Sequence, residues 1–192
     1  MSRAIRRGDA DQLTFRALFD AHHDAVRAYA ARRVPADDVD DVVAEAFVAV
    51  WRRCAHRPSH DELSWVLGMA RGAVANRRRS RRRWEALRVR LAMQPRDLGG
   101  DGEVSQRVLT VRAAMAALRE RDREVLMLVV WDELTHAQAA AVLGCSVGAV
   151  GVRLHRARVR LRTQLDHAVV GVERAQGFGG VVEGHRRQGA ER

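Results

Sequence analysis

The sequence predicts an all-α protein made of two small helical domains joined by a flexible linker, the second domain containing a helix-turn-helix. Three observations carry that prediction. Ala, Val, Leu and Arg dominate the 192 residues while aromatics reach only 5%, a mixture that favours helices over sheets. Apolar residues recur at three- and four-residue steps through both halves of the chain, the period of amphipathic helices. Between the halves, residues 94–105 (QPRDLGGDGEVS) contain Pro95 and three glycines within four positions and have no apolar period, so they read as a linker. The expected division is a first domain over 1–93, a linker over 94–106, a second domain over 107–166 and a tail over 167–192.

In the first domain, Phe15, Leu18, Phe19, Val26 and Tyr29 define a helix from Thr14 to Arg33, which Val34-Pro35 breaks. A second helix starts near Ala36. There Asp37, Asp38, Asp40 and Asp41 set negative charge against the positive end of the helix dipole, and the inner stripe is Val39, Val42, Val43, Ala46, Phe47, Val50 and Cys54. After a loop at Pro58, Ser59-His60-Asp61-Glu62 has the form of a capping box. It should open a third helix through Trp65, Val66, Met69, Ala70 and Ala73 that runs into an Arg block.

In the second domain, Val108, Val111, Met115 and Leu118 form one stripe, and Val125, Leu128 and Val129 the next. Thr135-His136-Ala137-Gln138 is a second capping box, and Gly144 stands where a left-handed helix end costs least. Ser146 can cap the last helix. Along that helix Val150, Leu154, Ala157, Leu161 and Leu165 share a face, and Arg153, Arg156, Arg158, Arg160 and Arg162 surround it. A short helix, a Gly-containing turn and a basic helix make a helix-turn-helix. Past Leu165 the tail holds six glycines between Gly171 and Gly189 and is expected to fray or be disordered.

The net charge of +10 points to a polyanionic partner, and two segments carry it. Residues 71–90 hold nine arginines against one acid, and residues 151–165 hold five against none. All 34 basic residues are Arg, which reads first as coding bias, although guanidinium also suits bidentate phosphate and guanine contacts. The run from Asn76 to Trp84 suits phosphate tracking beside an aromatic; its plainer readings are a solvated helix end or a patch for an anionic membrane. Trp65 and Trp84 are ordinarily core residues. The acidic second helix would repel DNA phosphate and is expected to face a protein.

Cys54, His56 and His60 have a zinc-like spacing but no evident fourth ligand, so no metal and no cofactor are expected. Phosphate-cradling and nucleophile motifs are missing, which points away from an enzyme. Two isolated cysteines, no apolar run of membrane length and an N-terminus without an apolar signal core make a cytoplasmic protein with no membrane attachment the expectation. The residues alone leave open a stand-alone helix-turn-helix regulator, a nucleic-acid-processing protein and a basic protein of a membrane surface.

Taken in order, the segments resemble the extracytoplasmic-function (ECF) group of bacterial sigma factors over about 14–92 and 107–165. FRALFDAHHDAVRAYAARRV resembles the first helix of that family's N-terminal domain, and DDVVAEAFVAVWRR its polymerase-clamp-binding helix. SWVLGMARGAVANRRRSRRR resembles the segment that opens and reads the −10 promoter element. The stretch ALRERDREVLMLVVWDELTHAQAAAVLGCSVGAVGVRLHRARVRL is similar to the module that reads the −35 element.

The resemblance implies an alternative sigma factor that binds core RNA polymerase and promoter DNA and is monomeric when free or 1:1 with polymerase; many relatives are held inactive by an anti-sigma factor, and the sequence leaves open whether this chain has one. It assigns Asp41, Glu45, Phe47 and Trp51 to polymerase, with Phe47 and Trp51 also suited to packing inward. Trp65, Arg71, Asn76, Arg77 and Arg78 fall to −10 DNA, and Ser146, Arg153, His155, Arg156 and Arg158 to −35 DNA. Three departures stand out: Gly72 replaces a usual Asn, Gly151 and Val152 replace a polar pair, and Ala149 replaces a usual Thr. Gly72 bears on the −10 preference, and Ala149, Gly151 and Val152 imply weaker or altered −35 selectivity.

Overall fold

The computed structural model describes residues 7–90 and 106–177, and these are helical with no strand among them. In order they form α1 (Arg7–Ala31), α2 (Ala36–Arg53), a 3₁₀ turn at Cys54–His56, α3 (Glu62–Arg90), α4 (Gln106–Ala117), α5 (Glu120–Leu126), a π-helical stretch at Met127–Trp131, α6 (His136–Leu143) and α7 (Val147–Gly177). The expected linker at 94–105 and the last part of the tail, 178–192, lie outside the described residues. Two compact units result: α1, α2 and α3 cluster with Leu128–Val150, while α4 and α5 belong with the chain from Gly151 onward. This grouping cuts across the division at the linker.

In the first unit α2 supplies the largest share of the core. Val39, Val42, Val43, Ala46, Phe47, Val50 and Cys54 are all buried, against Leu18, Val26 and Tyr29 of α1 and Val66, Leu67, Ala70, Ala73 and Val74 of α3. Burying a Val, Leu or Phe side chain is worth roughly 1.5–3 kcal/mol, which outweighs the cost of crowding four aspartates into the first turns of α2. Pro35 ends the turn after α1 and stands as N-cap of α2. The missing N–H of proline is no loss at a helix start, where no carbonyl would pair with it. The long α3 packs on α1, α2 and α6.

The start of α3 differs from expectation. The Ser59–Glu62 capping box does not form: Asp61 sits at φ 55° in the left-handed region, and the helix begins at Glu62. Glu62, the acid of that box, is instead held by Arg57, whose Nε donates to it at 3.2 Å, and the neighbouring Asp61 carboxylate accepts from Gln138 at 3.2 Å. The second capping box forms as expected. Gln138 N–H donates to Thr135 Oγ1 at 3.2 Å, with the reciprocal bond from Thr135 N–H to Gln138 Oε1 at 3.0 Å, and Gly144 closes α6 at φ 64°, ψ 44°.

In the second unit Ala114 of α4 and Leu118 just after it are buried, whereas Val108 and Val111 are exposed. The predicted stripe therefore reaches the interior only at its C-terminal end. On α7, Val150, Leu154 and Ala157 are buried as the spacing predicts, and Arg160 is ion-paired with Asp122 of α5. Past Leu165, α7 continues to Gly177; residues 166–176 contain no proline, and one Gly171 costs a helix only about 1 kcal/mol.

Candidate nucleic-acid interface

The acidic helix and the Arg block, which the sequence assigns to different partners, touch each other. Arg77 of α3 donates to Asp38 at 2.6 Å and reaches Asp41 at 3.0 Å, and Arg81 reaches the other Asp38 oxygen at 3.2 Å. One turn further along α2, Glu45 accepts from Asn76, whose own side-chain oxygen accepts from Arg79. Asp38 is buried between the two helices. The hydrogen bond from Arg77 holds its carboxyl below the usual carboxylate range despite the opposing effect of burial, and the same bond raises the Arg77 guanidinium. Sequence analysis assigned Asp38 only to the helix dipole; its link to Arg77 spans 39 residues, beyond any local periodicity.

Of the four residues assigned to polymerase, Asp41 and Glu45 are exposed on α2 and also hold α3. Phe47 packs inward, as its place on the inner stripe of α2 allows. It is only 4% exposed and packs against Phe15 and Phe19 of α1, edge-on to the first and tilted against the second, so it supports the surface from within. Trp51 is 47% exposed and stands edge-on to Phe15 at 5.3 Å, which leaves part of its indole on the surface.

Of the residues assigned to −10 DNA, Arg71 is exposed and Trp65 half-buried. Asn76 and Arg77 are bonded to α2, and Arg78 donates to the Arg33 carbonyl at the end of α1 at 3.1 Å. Trp65 lines a cavity of about 380 Å³ with Pro58, His60, Ser64, Met69 and Ala141. Trp84, by default a core residue, is instead 64% exposed at the far end of the Arg block. There α3 runs on past the residues it buries against α1 and α2, and the flanking Arg82, Arg83 and Glu85 are exposed with it. Cys54 is buried, which pushes its thiol up, while His56 and His60 are exposed. Among the described residues no three His, Cys, Asp or Glu side chains converge on a metal site.

At the other basic segment the chain bends by 99° between α6 and α7. Gly144 makes that bend, Cys145 N–H returns to the Ala140 carbonyl at 3.1 Å, and Ser146 Oγ caps α7 through Ala149 N–H at 3.2 Å. From this capped start Ser146, Val152, His155, Arg156 and Arg158 are exposed, and Arg153 is half-buried. A Cβ added at Gly148 or Gly151 would meet nothing within 4 Å. This is the geometry by which a helix-turn-helix offers the first turns of its second helix to a major groove.

Comparison with known proteins assigns both segments. The profile of sigma-70 region 2 matches residues 18–84 and that of sigma-70 region 4 matches residues 109–161. The RNA polymerase sigma factor NccH of Alcaligenes xylosoxydans xylosoxydans is 30% identical over 178 residues, covering 87% of this chain and 95% of NccH. The sigma factor CnrH of Cupriavidus metallidurans is 32% identical over 160 residues, covering 76% of this chain and 84% of CnrH. The solved structure of CnrH in complex with the cytosolic domain of CnrY matches at a TM-score of 0.57, covering 81% of this chain and 90% of CnrH. The sigma factor RpoE of Bartonella quintana, solved with the anti-sigma factor NepR, shares the fold at a TM-score of 0.61 and 21% identity, covering 79% and 96%.

A helical region 2 and a helix-turn-helix region 4 on one chain define a transcription initiation factor, and this chain belongs to the sigma-70 family of RNA polymerase sigma factors. Within the family it is an alternative sigma factor of the ECF type, directing transcription initiation.

Proposed function

We propose how the work is divided along the chain. The first segment, residues 1–93, engages core RNA polymerase through the surface of α2 around Trp51, Asp41 and Glu45. It holds −10 DNA along α3 through Trp65, Arg71 and the exposed guanidiniums and indole at 79–84. Residues 107–166 read −35 duplex through the capped start of α7, with Ser146, Val152, His155 and Arg156 toward base edges and Arg153 and Arg158 toward phosphates. The observation that supports this most is the ionic network between α2 and α3. A polymerase surface that takes hold of α2 thereby carries α3 to the DNA as part of the same packed pair.

In this reading the chain has no catalytic chemistry of its own and polymerase supplies the active site. Strand separation is driven by capture of unstacked bases, each costing a few kcal/mol to extrude and offset by stacking and phosphate contacts. Among the described residues no single helix is long and apolar enough to cross a membrane, in keeping with action in the cytoplasm. The CnrH structure contains a piece of a second protein, and by that likeness an inhibitory protein partner belongs to the proposal here.

Trp51→Ala tests the polymerase surface. Truncating a half-exposed aromatic anchor should lower affinity for core polymerase by about tenfold or more while leaving the circular dichroism spectrum unchanged. Unchanged affinity would remove Trp51 from the interface.

A further inference from the structure

The opening turns of α7 carry almost no hydrogen-bonding chemistry. From Val147 to Leu154 the side chains are apolar or absent except for Arg153, which is half-buried. Ser146 Oγ, in front of them, already accepts the Ala149 N–H. At about 3.6 residues per turn, Val152 stands opposite Val150, Leu154 and Ala157, whose side chains are buried. It therefore forms the crest of the helix, farthest from the core, with Gly148 a turn before it and the exposed His155 and Arg156 a turn after. The isopropyl group of Val152 is 52% exposed. A Cβ at Gly148 or Gly151 would meet nothing within 4 Å, so the chain builds nothing over the helix beside it.

An exposed valine on a helix crest adds little to the fold, because it gains no burial and Val is a poorer helix former than Ala. Its use lies in what the helix meets. In the major groove each base pair presents its own set of donors and acceptors, and the one apolar group among them is the C5 methyl of thymine. Covering a donor or acceptor of the other bases with an isopropyl group removes it from water without supplying a partner, which costs free energy. We infer that Val152 is a specificity-determining residue of the −35 contact, selecting a thymine by its methyl group. Reading by hydrogen-bond donors then begins a turn later, at His155 and Arg156. The inference rests on the −35 reading proposed above.

Thymine and uracil differ by that methyl alone and pair identically with adenine, so the test removes a single carbon from the DNA. Holoenzyme assembled from core polymerase and the full chain selects promoters from a randomised library. In the strongest of them each dT of the −35 element is replaced in turn by dU, and the affinity of holoenzyme for each duplex is measured by competition. One replacement should weaken binding about fourfold, the factor by which burying one methyl-sized group favours a contact. Holoenzyme carrying Val152→Ala should bind the dT and dU duplexes equally. Val159→Ala truncates a valine that is 53% exposed about two turns further along α7, and it should keep the fourfold discrimination.

Three results would overturn the role of Val152 and leave the −35 reading in place: equal binding of dT and dU at every −35 position, a discrimination that survives Val152→Ala, or a −35 element without thymine. Selected promoters with no base preference in the −35 region would refute that reading, and the inference with it.

Discussion

Two arginine-rich helices in this molecule use the same chemistry for different ends. In α3, Arg77 and Arg81 are bonded to Asp38, Arg77 also reaches Asp41, and Arg78 is spent on the end of α1. Much of the largest positive segment is therefore engaged within the fold, and the exposed guanidiniums of α3 are those of Arg71 and of the distal part of the block. In α7 the segment 151–165 carries no acid of its own, and Arg156 and Arg158 stand exposed beyond a turn fixed by Gly144 and Ser146. Charge density in the sequence thus overstates the exposed positive surface of α3 and describes that of α7 more faithfully.

The sharpest way to break this comparison is to remove the carboxylate at its centre. Asp38→Ala leaves Arg77 and Arg81 facing a gap between α2 and α3. Because both guanidiniums keep partial access to water, the cost should be about 2 kcal/mol in chemical denaturation, between that of an exposed pair and of a fully buried one. Arg156→Ala, with no such partner, should stay within about 0.5 kcal/mol of wild type. Equal effects of the two substitutions would erase the distinction.

Acid exposes the same difference. The folded Asp38 carboxyl titrates below its ordinary value of 3.8, so its stabilising effect is complete at neutral pH and is lost as pH falls below about 4 through the folded value. Wild type should lose stability across that window, and Asp38→Asn should lose less. Parallel curves for the two would mean that the Arg77 bond does not form in solution.

On the α7 side, Arg156→Ala with Arg158→Ala should leave the melting temperature unchanged. The slope of log affinity against log salt for holoenzyme on promoter DNA should become shallower by about 2, close to one for each phosphate that is no longer neutralised. Arg77→Ala should change that slope by less than one. A Cβ at Gly151 meets nothing, so Gly151→Ala should stabilise α7 by up to about 1 kcal/mol, read as a small rise in melting temperature with the salt slope unchanged.

What could be read from the sequence follows the same line between local and distant. Each stripe residue of α2 from Val39 to Cys54 proved buried, because helical periodicity is a short-range pattern. The Thr135–Gln138 box, Gly144 and the Ser146 cap are also local and formed as their residue types require. Among the site residues, Trp51, Arg71, His155, Arg156 and Arg158 are exposed.

The pairings that decide which charges are available were not legible. Asp38 with Arg77 and Asp132 with Arg33 join positions 39 and 99 residues apart, and composition at either end does not reveal them. The late start of α3 has a similar cause, since Asp61 is held by Gln138 from a distant helix.

Run-off transcription by purified core RNA polymerase on a promoter library, with and without this chain, tests the central claim most directly. The account predicts start sites that appear only with the chain, share a −10 and a −35 element, and weaken when Arg156 and Arg158 are replaced by Ala. Transcripts whose start sites are the same whether or not the chain is present would contradict it.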